Sequence, residues 1–373
     1  MKKYLAHITL IPLVLLALTP PWAFNLDCNI NSLVWLWVVF TSGFLAILFF
    51  NFNVRLSLKL FILWAFIGCF ISKAPYLCFT MYWSLIAGAY YYLLCRQLRD
   101  FTPVKKSIQA LFFLIILLVI TQLFGLDTLL NFNMKTPCVL GTIGNYMILG
   151  SFVCVLAPFL IQVSWLNWIP LILLAFISKS SGTILAVFLG LAVYMWSKSR
   201  RLRVAIAVTA VMVPLFFAYK TGDIKIFSTF GRMPVWERTI KVVNLRPLGF
   251  GASTYKLIFP LVSQDIPPSK GAAQAKWEYE NTHGEGLAWR RAHNFICQLL
   301  FEYGYPGLIF FVSFFIGILL NIRKDPLKLA GMTILAVNSM TSFPDRMTQS
   351  VLIILMFLAF CEFKYKGECD GSR

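Results

Sequence analysis

The residue types that could do acid–base or phosphate chemistry concentrate in one polar stretch, residues 219–292, and in the residue that follows it. Four arginines and a histidine stand out there, at Arg232, Arg246, Arg290, Arg291 and His293. Arginine offers a fixed fork of donors to phosphate oxygens and stays charged at any relevant pH. A histidine in this company favours proton transfer, although a single loop histidine is most often structural. The pattern predicts a site for an anionic ligand, the alternative being that each arginine only contacts lipid headgroups.

Two further polar residues lie close to the histidine in the sequence. If residues 290–294 are helical, Arg290, His293 and Asn294 share one face through i,i+3 and i,i+4 spacing. Glu302 is the main acidic residue inside an apolar segment, where charge is costly and usually functional. We expect it to cap a helix, pair with an arginine or orient an acceptor.

Metal and cofactor chemistry are not expected. The polar stretch holds no D-x-D pair and no His/Asp/Glu cluster at ligand spacing. The nine cysteines form no C-x-x-C pair, and most fall within or beside apolar segments. A zinc site and a disulfide framework are therefore both disfavoured.

The elements that must position these residues are membrane helices. Of the 373 residues, 59% are hydrophobic and only 13% are charged, which is too apolar for a soluble chain to cover. The net charge of +18 would suggest nucleic acid in a soluble protein, but here the basic residues sort by membrane side, so nucleic acid is not an expected partner. Lipid is the predicted solvent.

Apolar segments of spanning length predict an all-α polytopic protein of about twelve transmembrane helices, the first of them uncleaved. The predicted spans are 8–24, 31–50, 58–72, 76–94, 107–124, 143–164, 166–178, 182–197, 203–219, 293–320, 328–343 and 347–363. The tight join at Trp165 to Trp168 leaves the sixth and seventh spans able to form one hairpin. Proline and glycine punctuation in residues 219–292 predicts turns and short helices there.

The distribution of Lys and Arg sets the predicted orientation. Eighteen of them fall in the connections on one side and four in the short connections on the other, which places the first side and both termini in the cytoplasm. The predicted organisation is helices one to nine in residues 1–218, a periplasmic loop at 219–292, helices ten to twelve in 293–363 and a cytoplasmic tail at 364–373. The site then faces the periplasm of a bacterial inner membrane.

The spacing of several of these residues resembles that of a known family. His293-Asn294, nine residues, Gly304, two residues and Gly307 reproduce the H-[NSQ]-x9-G-x-x-G pattern of bacterial O-antigen ligases. Gly231-Arg232 with Trp236 resembles the G-R-x3-W stretch of the wider ligase and polymerase superfamily, and Arg246-Pro247 with Gly249 and Gly251 resembles its R-P-x-x-G-x-G stretch. The likeness extends to residues 141–145 and to the segment before residue 182, and so covers roughly the C-terminal two thirds.

Two positions depart from that family's pattern. Ser181 stands where many relatives carry Arg in an S-R-G stretch, and Trp236 replaces the Leu of the ligases' R-x3-L motif. Lys179 is a candidate to supply the missing charge.

The resemblance implies a GT-C-like, metal-independent, inverting glycosyltransferase that uses an undecaprenyl-pyrophosphate-linked glycan as donor and the lipid A core as acceptor. His293 would take the acceptor's proton and Arg232 would stabilise the pyrophosphate, assisted by Arg246, Arg290 or Lys179. A further set would contact substrate, namely Arg291, Asn294 and Glu302.

Other functions remain open on the sequence. A repeat-unit polymerase or a protein O-oligosaccharyltransferase would share the donor and the chemistry. A lipid-linked oligosaccharide flippase would also bind anionic glycolipid but would not require His293. A non-catalytic assembly protein with the loop as a docking surface is the least specific alternative.

Overall fold

A computed structural model of the chain describes residues 54–98, 100–124, 146–178, 180–197, 233–263, 292, 294–341 and 348–363. Across these residues every regular element is helical and there is no strand. Helices satisfy their backbone hydrogen bonds internally, which lipid requires of any lipid-exposed spanning segment. The predicted all-α class is confirmed for this part of the chain.

The described helices are numbered in chain order. Their bounds are α1 Leu56–Ile71, α2 Pro75–Cys95, α3 Thr102–Leu123, α4 Tyr146–Val163, α5 Trp168–Ile177, α6 Ser181–Trp196, α7 Met233–Leu245, α8 Tyr255–Val262, α9 Phe295–Ile322, α10 Pro326–Thr341 and α11 Thr348–Glu362.

Nine predicted apolar segments coincide with helices, and the other three, 8–24, 31–50 and 203–219, lie outside the described residues. The largest shift is at α3, which begins at Thr102 where hydropathy placed its start at 107. Pro103 occupies the first turn and the Asp100 carboxylate accepts from the Thr102 amide at 2.8 Å. Hydropathy missed this turn because it carries Lys105 and Lys106.

The uncertain join between two predicted spans is a short 3-10 helix, Trp165–Asn167. The Asn167 side chain donates to Leu160 O at 2.7 Å and also bonds with the Gln109 amide. These bonds fix the reversal between α4 and α5, so the two segments form a hairpin.

Three of the described helices are long and apolar enough to cross a membrane, namely α2, α3 and α9, and five more segments are apolar but shorter. With the composition of the chain, this makes the protein a membrane protein. The twelve predicted spans and the placement of the termini remain predictions.

One large hydrophobic core joins most of these helices. α10 packs against α6 and α4, α1 packs against α9, and α11 packs against α2. A buried polar contact crosses this core, where the Asn338 amide donates to the Ser151 hydroxyl at 3.0 Å. Such interhelical bonds in lipid are worth about 1 kcal/mol and fix which helix faces meet.

Cationic residues gather at one end of the bundle. Arg55 and Arg96 both pair with the buried carboxylate of Glu362 at the end of α11. Lys105 and Lys328 lie 4.7 and 4.6 Å from the centre of the Phe360 ring. Four residues that the charge distribution assigns to one membrane side thus lie together.

A second, smaller core forms at the opposite end, where α1 stops at Ile71 and α2 starts at Pro75. It is built from α7, α8 and the first turns of α9, with Phe250, Tyr255, Phe259 and Phe301 at its centre. The Phe250 and Phe301 rings stack with centroids 4.6 Å apart. Within 219–292, α7 and α8 are the described short helices.

Candidate functional site

Two sequence motifs dock onto each other at this end of the molecule. The R-P-x-x-G-x-G stretch, residues 246–251, forms a loop after α7 and lies against α9 at its kink. The amides of Phe250 and Gly251 donate to the carbonyls of Phe301 and Glu302 at 2.9 and 2.8 Å. In return, the Tyr305 amide donates to Pro247 O at 2.9 Å. The backbone groups that the kink frees from α9 are therefore satisfied by the loop.

Glycine is required at both sides of this junction. Gly304 has φ +65° and Gly249 has φ +86°, conformations that L side chains rarely adopt. A Cβ on Gly304 would lie 2.2 Å from Pro247 O, and one on Gly249 would lie 2.5 Å from the Gly304 nitrogen. The two glycines let the backbones touch, which explains why both motifs contain them.

The end of α1 holds the same loop from the other side. The Ser72 hydroxyl donates to Phe250 O at 2.9 Å, and Gly251 lies so close to Ser72 that a Cβ there would be 2.3 Å from its hydroxyl oxygen. The half-buried Arg246 donates to Ile71 O, and its guanidinium lies 5.3 Å from the centre of the Phe250 ring. Arg246, a predicted substrate ligand, therefore has a structural anchor at the C-terminal end of α1.

Ala292, which precedes the predicted base, is buried and held by two side chains. Trp236 Nε1 donates to Ala292 O at 2.7 Å, and the Ala292 amide donates to Gln298 Oε1 at 3.1 Å. Trp236 belongs to α7 and Gln298 to α9, so the backbone of Ala292 is held between two helices.

Asn294, on the other side of the predicted base, is the N-cap of α9. Its side-chain oxygen accepts from the amides of Ile296 and Cys297 at 2.9 and 3.1 Å. Its backbone is extended, with φ −154° and ψ 120°, and the helix begins at Phe295. The expectation that Asn294 shares a helical face with Arg290 is therefore wrong, because a capping asparagine ends the helix in the N-terminal direction.

Glu302 is buried just before the kink and accepts from the Gln298 side-chain amide. Its backbone carbonyl is the acceptor for Gly251, so one residue links the loop to the buried polar face of α9. This described contact orients the neighbouring Gln298 side chain, and the three roles expected for Glu302 remain predictions. Gly307, one turn beyond the kink, packs against Tyr303, whose Cβ would be 2.3 Å from an added Cβ.

α7 also holds the point where α8 ends. The buried Arg238 donates through Nε and Nη2 to Ser263 O at 3.0 and 2.6 Å. Beside it, the Thr239 and Tyr255 hydroxyls are 2.8 Å apart. Burial raises the pKa of the Tyr255 phenol, so this group stays neutral.

Six predicted site residues lie outside the described part of the chain, namely Lys179, Gly231, Arg232, Arg290, Arg291 and His293. The described residues that border these positions are Ser178, Ser180, Met233, Ala292 and Asn294. Among the described residues, no group of three or more His, Cys, Asp or Glu side chains could hold a metal ion.

Sequence reasoning missed Gln298 and the structural use of Arg238. A signal for Gln298 was present, because Asn294, Gln298 and Glu302 recur at i,i+4 spacing in an otherwise apolar run and so form one polar stripe. All three side chains are buried. Arg238 had no comparable signal, since its acceptor is a backbone carbonyl 25 residues away.

Comparison with known families gives a match over part of the chain. Residues 166–312 match the family model Wzy_C, described as O-antigen ligase. No curated protein matches the chain significantly. The matched range runs from α5 through the kink of α9 and contains the loop, the capped start of α9 and both anchors of Ala292. The resemblance that the motifs indicate is thus confirmed over residues 166–312, which are similar to O-antigen ligases.

Proposed function

We propose that this protein transfers an O-antigen-type glycan from undecaprenyl pyrophosphate to the lipid A core, on the periplasmic side of a bacterial inner membrane. O-antigen ligase or polymerase chemistry in general follows from the matched domain. The observation that carries the finer proposal is the bonded series from the 246–251 loop through Glu302 and Gln298 to Ala292. It joins the 246–251 loop to α9 and ends at Ala292, the residue that precedes His293 in the sequence.

His293 acts as the general base in this proposal. It takes the proton from an acceptor sugar hydroxyl as that oxygen attacks the anomeric carbon of the donor. The new glycosidic C–O bond forms while the bond from the anomeric carbon to the pyrophosphate oxygen breaks, and the electron pair leaves with undecaprenyl pyrophosphate. A single displacement of this kind inverts the anomeric configuration.

Arg232 stabilises the negative charge that develops on the departing pyrophosphate, assisted by Arg290, Arg291 or Lys179. Arg232 directly precedes α7, the helix that holds Ala292 through Trp236. Fixed guanidinium groups supply the counter-charge that a divalent cation would otherwise provide. The proposed reaction is therefore independent of metal.

The test is reconstitution of the purified protein with undecaprenyl-pyrophosphate glycan and lipid A core, with products separated by gel. We expect ligation by wild type, and at least a 100-fold loss for His293→Ala and for Arg232→Ala, because each removes a transition-state interaction. EDTA should leave the rate unchanged.

His283→Ala and Lys241→Ala are the matched controls, since both belong to the polar stretch but lie outside the motifs. They should ligate at the wild-type rate. Full ligation by His293→Ala would show that His293 is not the base.

Other products would identify the alternative functions. Longer glycans on the lipid carrier without core attachment would identify a polymerase, and movement of donor across the bilayer without transfer would identify a flippase. Loss of transfer in EDTA, restored by a divalent cation, would overturn the metal-free mechanism.

A further inference from the structure

We propose that Trp236 and Gln298 are positioning residues that set the placement of His293 by holding Ala292, the residue before it, at both of its backbone polar groups. The inference rests on the proposed function only for the role of His293 as base. Trp236 donates to Ala292 O at 2.7 Å and Gln298 accepts from the Ala292 amide at 3.1 Å. The backbone immediately before His293 therefore has both of its polar groups fixed by side chains.

The orientation of Gln298 is itself determined by Glu302. The Gln298 side-chain amide group donates to Glu302 Oε1, which leaves its oxygen to accept from Ala292. Both side chains are buried, with 4% and 5% of their surface exposed. A buried acceptor beside the amide nitrogen excludes the flipped orientation, because that would place two oxygens against each other. Glu302 thus acts on Ala292 through Gln298.

Trp236 connects Ala292 to α7. Its indole packs against the smaller core, and its N–H donates to Ala292 O. The ligase motif quoted above has Leu at this position, and Leu has no donor for the bond. Trp236 lies one helical turn after Arg232, so the same helix that follows the arginine holds the residue before the histidine. The Trp236 bond therefore connects the helix that follows Arg232 in the sequence with the residue that precedes His293.

Asn294, the other neighbour of His293, is fixed as well. It is the N-cap of α9, and its side-chain oxygen accepts hydrogen bonds from two backbone amides of the first turn. His293 is then bounded by one residue held by Trp236 and Gln298 and by another held by the helix itself. Small errors in the placement of a catalytic group cost about 10-fold to 100-fold in rate, so these bonds should matter more for catalysis than for folding.

The test uses Trp236→Phe, which keeps an aromatic ring but removes the N–H. It also uses Gln298→Leu, which keeps a side chain of similar size but removes the amide. We expect each to lower kcat for ligation by about 10-fold to 100-fold, with KM for the donor within about twofold of wild type. Trp64→Phe is the matched control, because Trp64 Nε1 also donates to a carbonyl of α9, Tyr303 O, at the same 2.7 Å. It should show a similar change in Tm but the wild-type kcat.

A second measurement separates this inference from the proposed function. The rate of His293 modification by diethylpyrocarbonate, followed by mass spectrometry as a function of pH, does not need transfer activity. We expect Trp236→Phe and Gln298→Leu to change this profile and Trp64→Phe to leave it unchanged. If the profile changes while His293→Ala still ligates, the positioning is correct and the catalytic role of His293 is wrong.

The combined variants give the decisive outcome. In a His293→Ala background, Trp236→Phe should cause no further loss of transfer, because it acts only through His293. Additive losses, or a modification profile and kcat for Trp236→Phe that match those of Trp64→Phe, would overturn the inference.

Discussion

At the scale of single residues, Gly304 is the position where backbone conformation and close packing most strictly require glycine. Its φ of +65° and ψ of −170° interrupt α9, and a side chain there would meet Pro247 O at 2.2 Å. The kink exposes backbone groups that the 246–251 loop then satisfies, so the glycine is needed for both the bend and the contact. The loop and α9 are consequently held in one arrangement.

We expect Gly304→Ala to lower Tm by several degrees and to reduce ligation strongly. The strained backbone alone costs about 1–3 kcal/mol, and the steric contact adds to this. Thermal unfolding in detergent and the gel assay measure the two effects.

Gly68→Ala is the control for this change. Gly68 lies inside α1, and a Cβ there would have nothing within 4 Å. Alanine is favoured over glycine in a helix by about 1 kcal/mol, so this variant should be as stable as wild type or slightly more so. Equal stability of the two variants would contradict the assigned role of Gly304.

At the scale of elements, the ion pairs of Glu362 determine how the last described helix is attached. This carboxylate is buried and pairs with Arg55, before α1, and with Arg96, after α2. Three helix ends therefore meet at one residue. The pairs lie at the opposite end of the bundle from the site, so their loss should affect stability more than catalysis.

We expect Glu362→Gln to destabilise the protein by about 1–3 kcal/mol, because two cations lose the carboxylate that compensates them, although partial exposure of the arginines limits the loss. Glu237→Gln removes an exposed pair with Lys241 at 2.8 Å and should change stability by less than about 0.5 kcal/mol. Thermal unfolding of both variants checks this. A similar Tm for the two would show that Glu362 is not a structural anchor.

Helix positions in the described part of the chain could be predicted from the sequence because a segment that spans lipid must be apolar over most of its length. The contacts of Arg246 and Trp236 could not be predicted in the same way. Both donate to backbone carbonyls of distant residues, Ile71 and Ala292, and a carbonyl has no sequence signature. The motif glycines were identified, but only the structure shows that Gly249 and Gly304 face each other.

At the scale of the whole molecule, the two ends of the bundle differ in charge and content. One gathers the cations around Glu362 and Phe360, and the other carries the smaller core built from α7, α8 and the first turns of α9. The charge distribution predicts that the first end faces the cytoplasm. Orientation across the membrane is thus a prediction, and cysteine substitutions at two exposed lysine positions can test it.

We expect Lys241→Cys to react with an impermeant thiol reagent in intact cells and Lys106→Cys to react only after permeabilisation. Both lysines are exposed, and Lys241 belongs to α7 while Lys106 lies in the first turns of α3. The six described cysteines are buried, so replacing Cys28, Cys138 and Cys369 gives a background suited to labelling. The reverse labelling pattern would invert the proposed topology.

The attachment of α7 to both Ser263 and Ala292 has a consequence for how such proteins diverge. Arg238 holds the last residue of one described segment, and Trp236 holds the residue that opens the next. Sequence inserted, deleted or exchanged between these two fixed points leaves the helix beneath them unaltered. We therefore expect residues 264–289, which end before Arg290, to be the part of this stretch that relatives can exchange most freely by recombination.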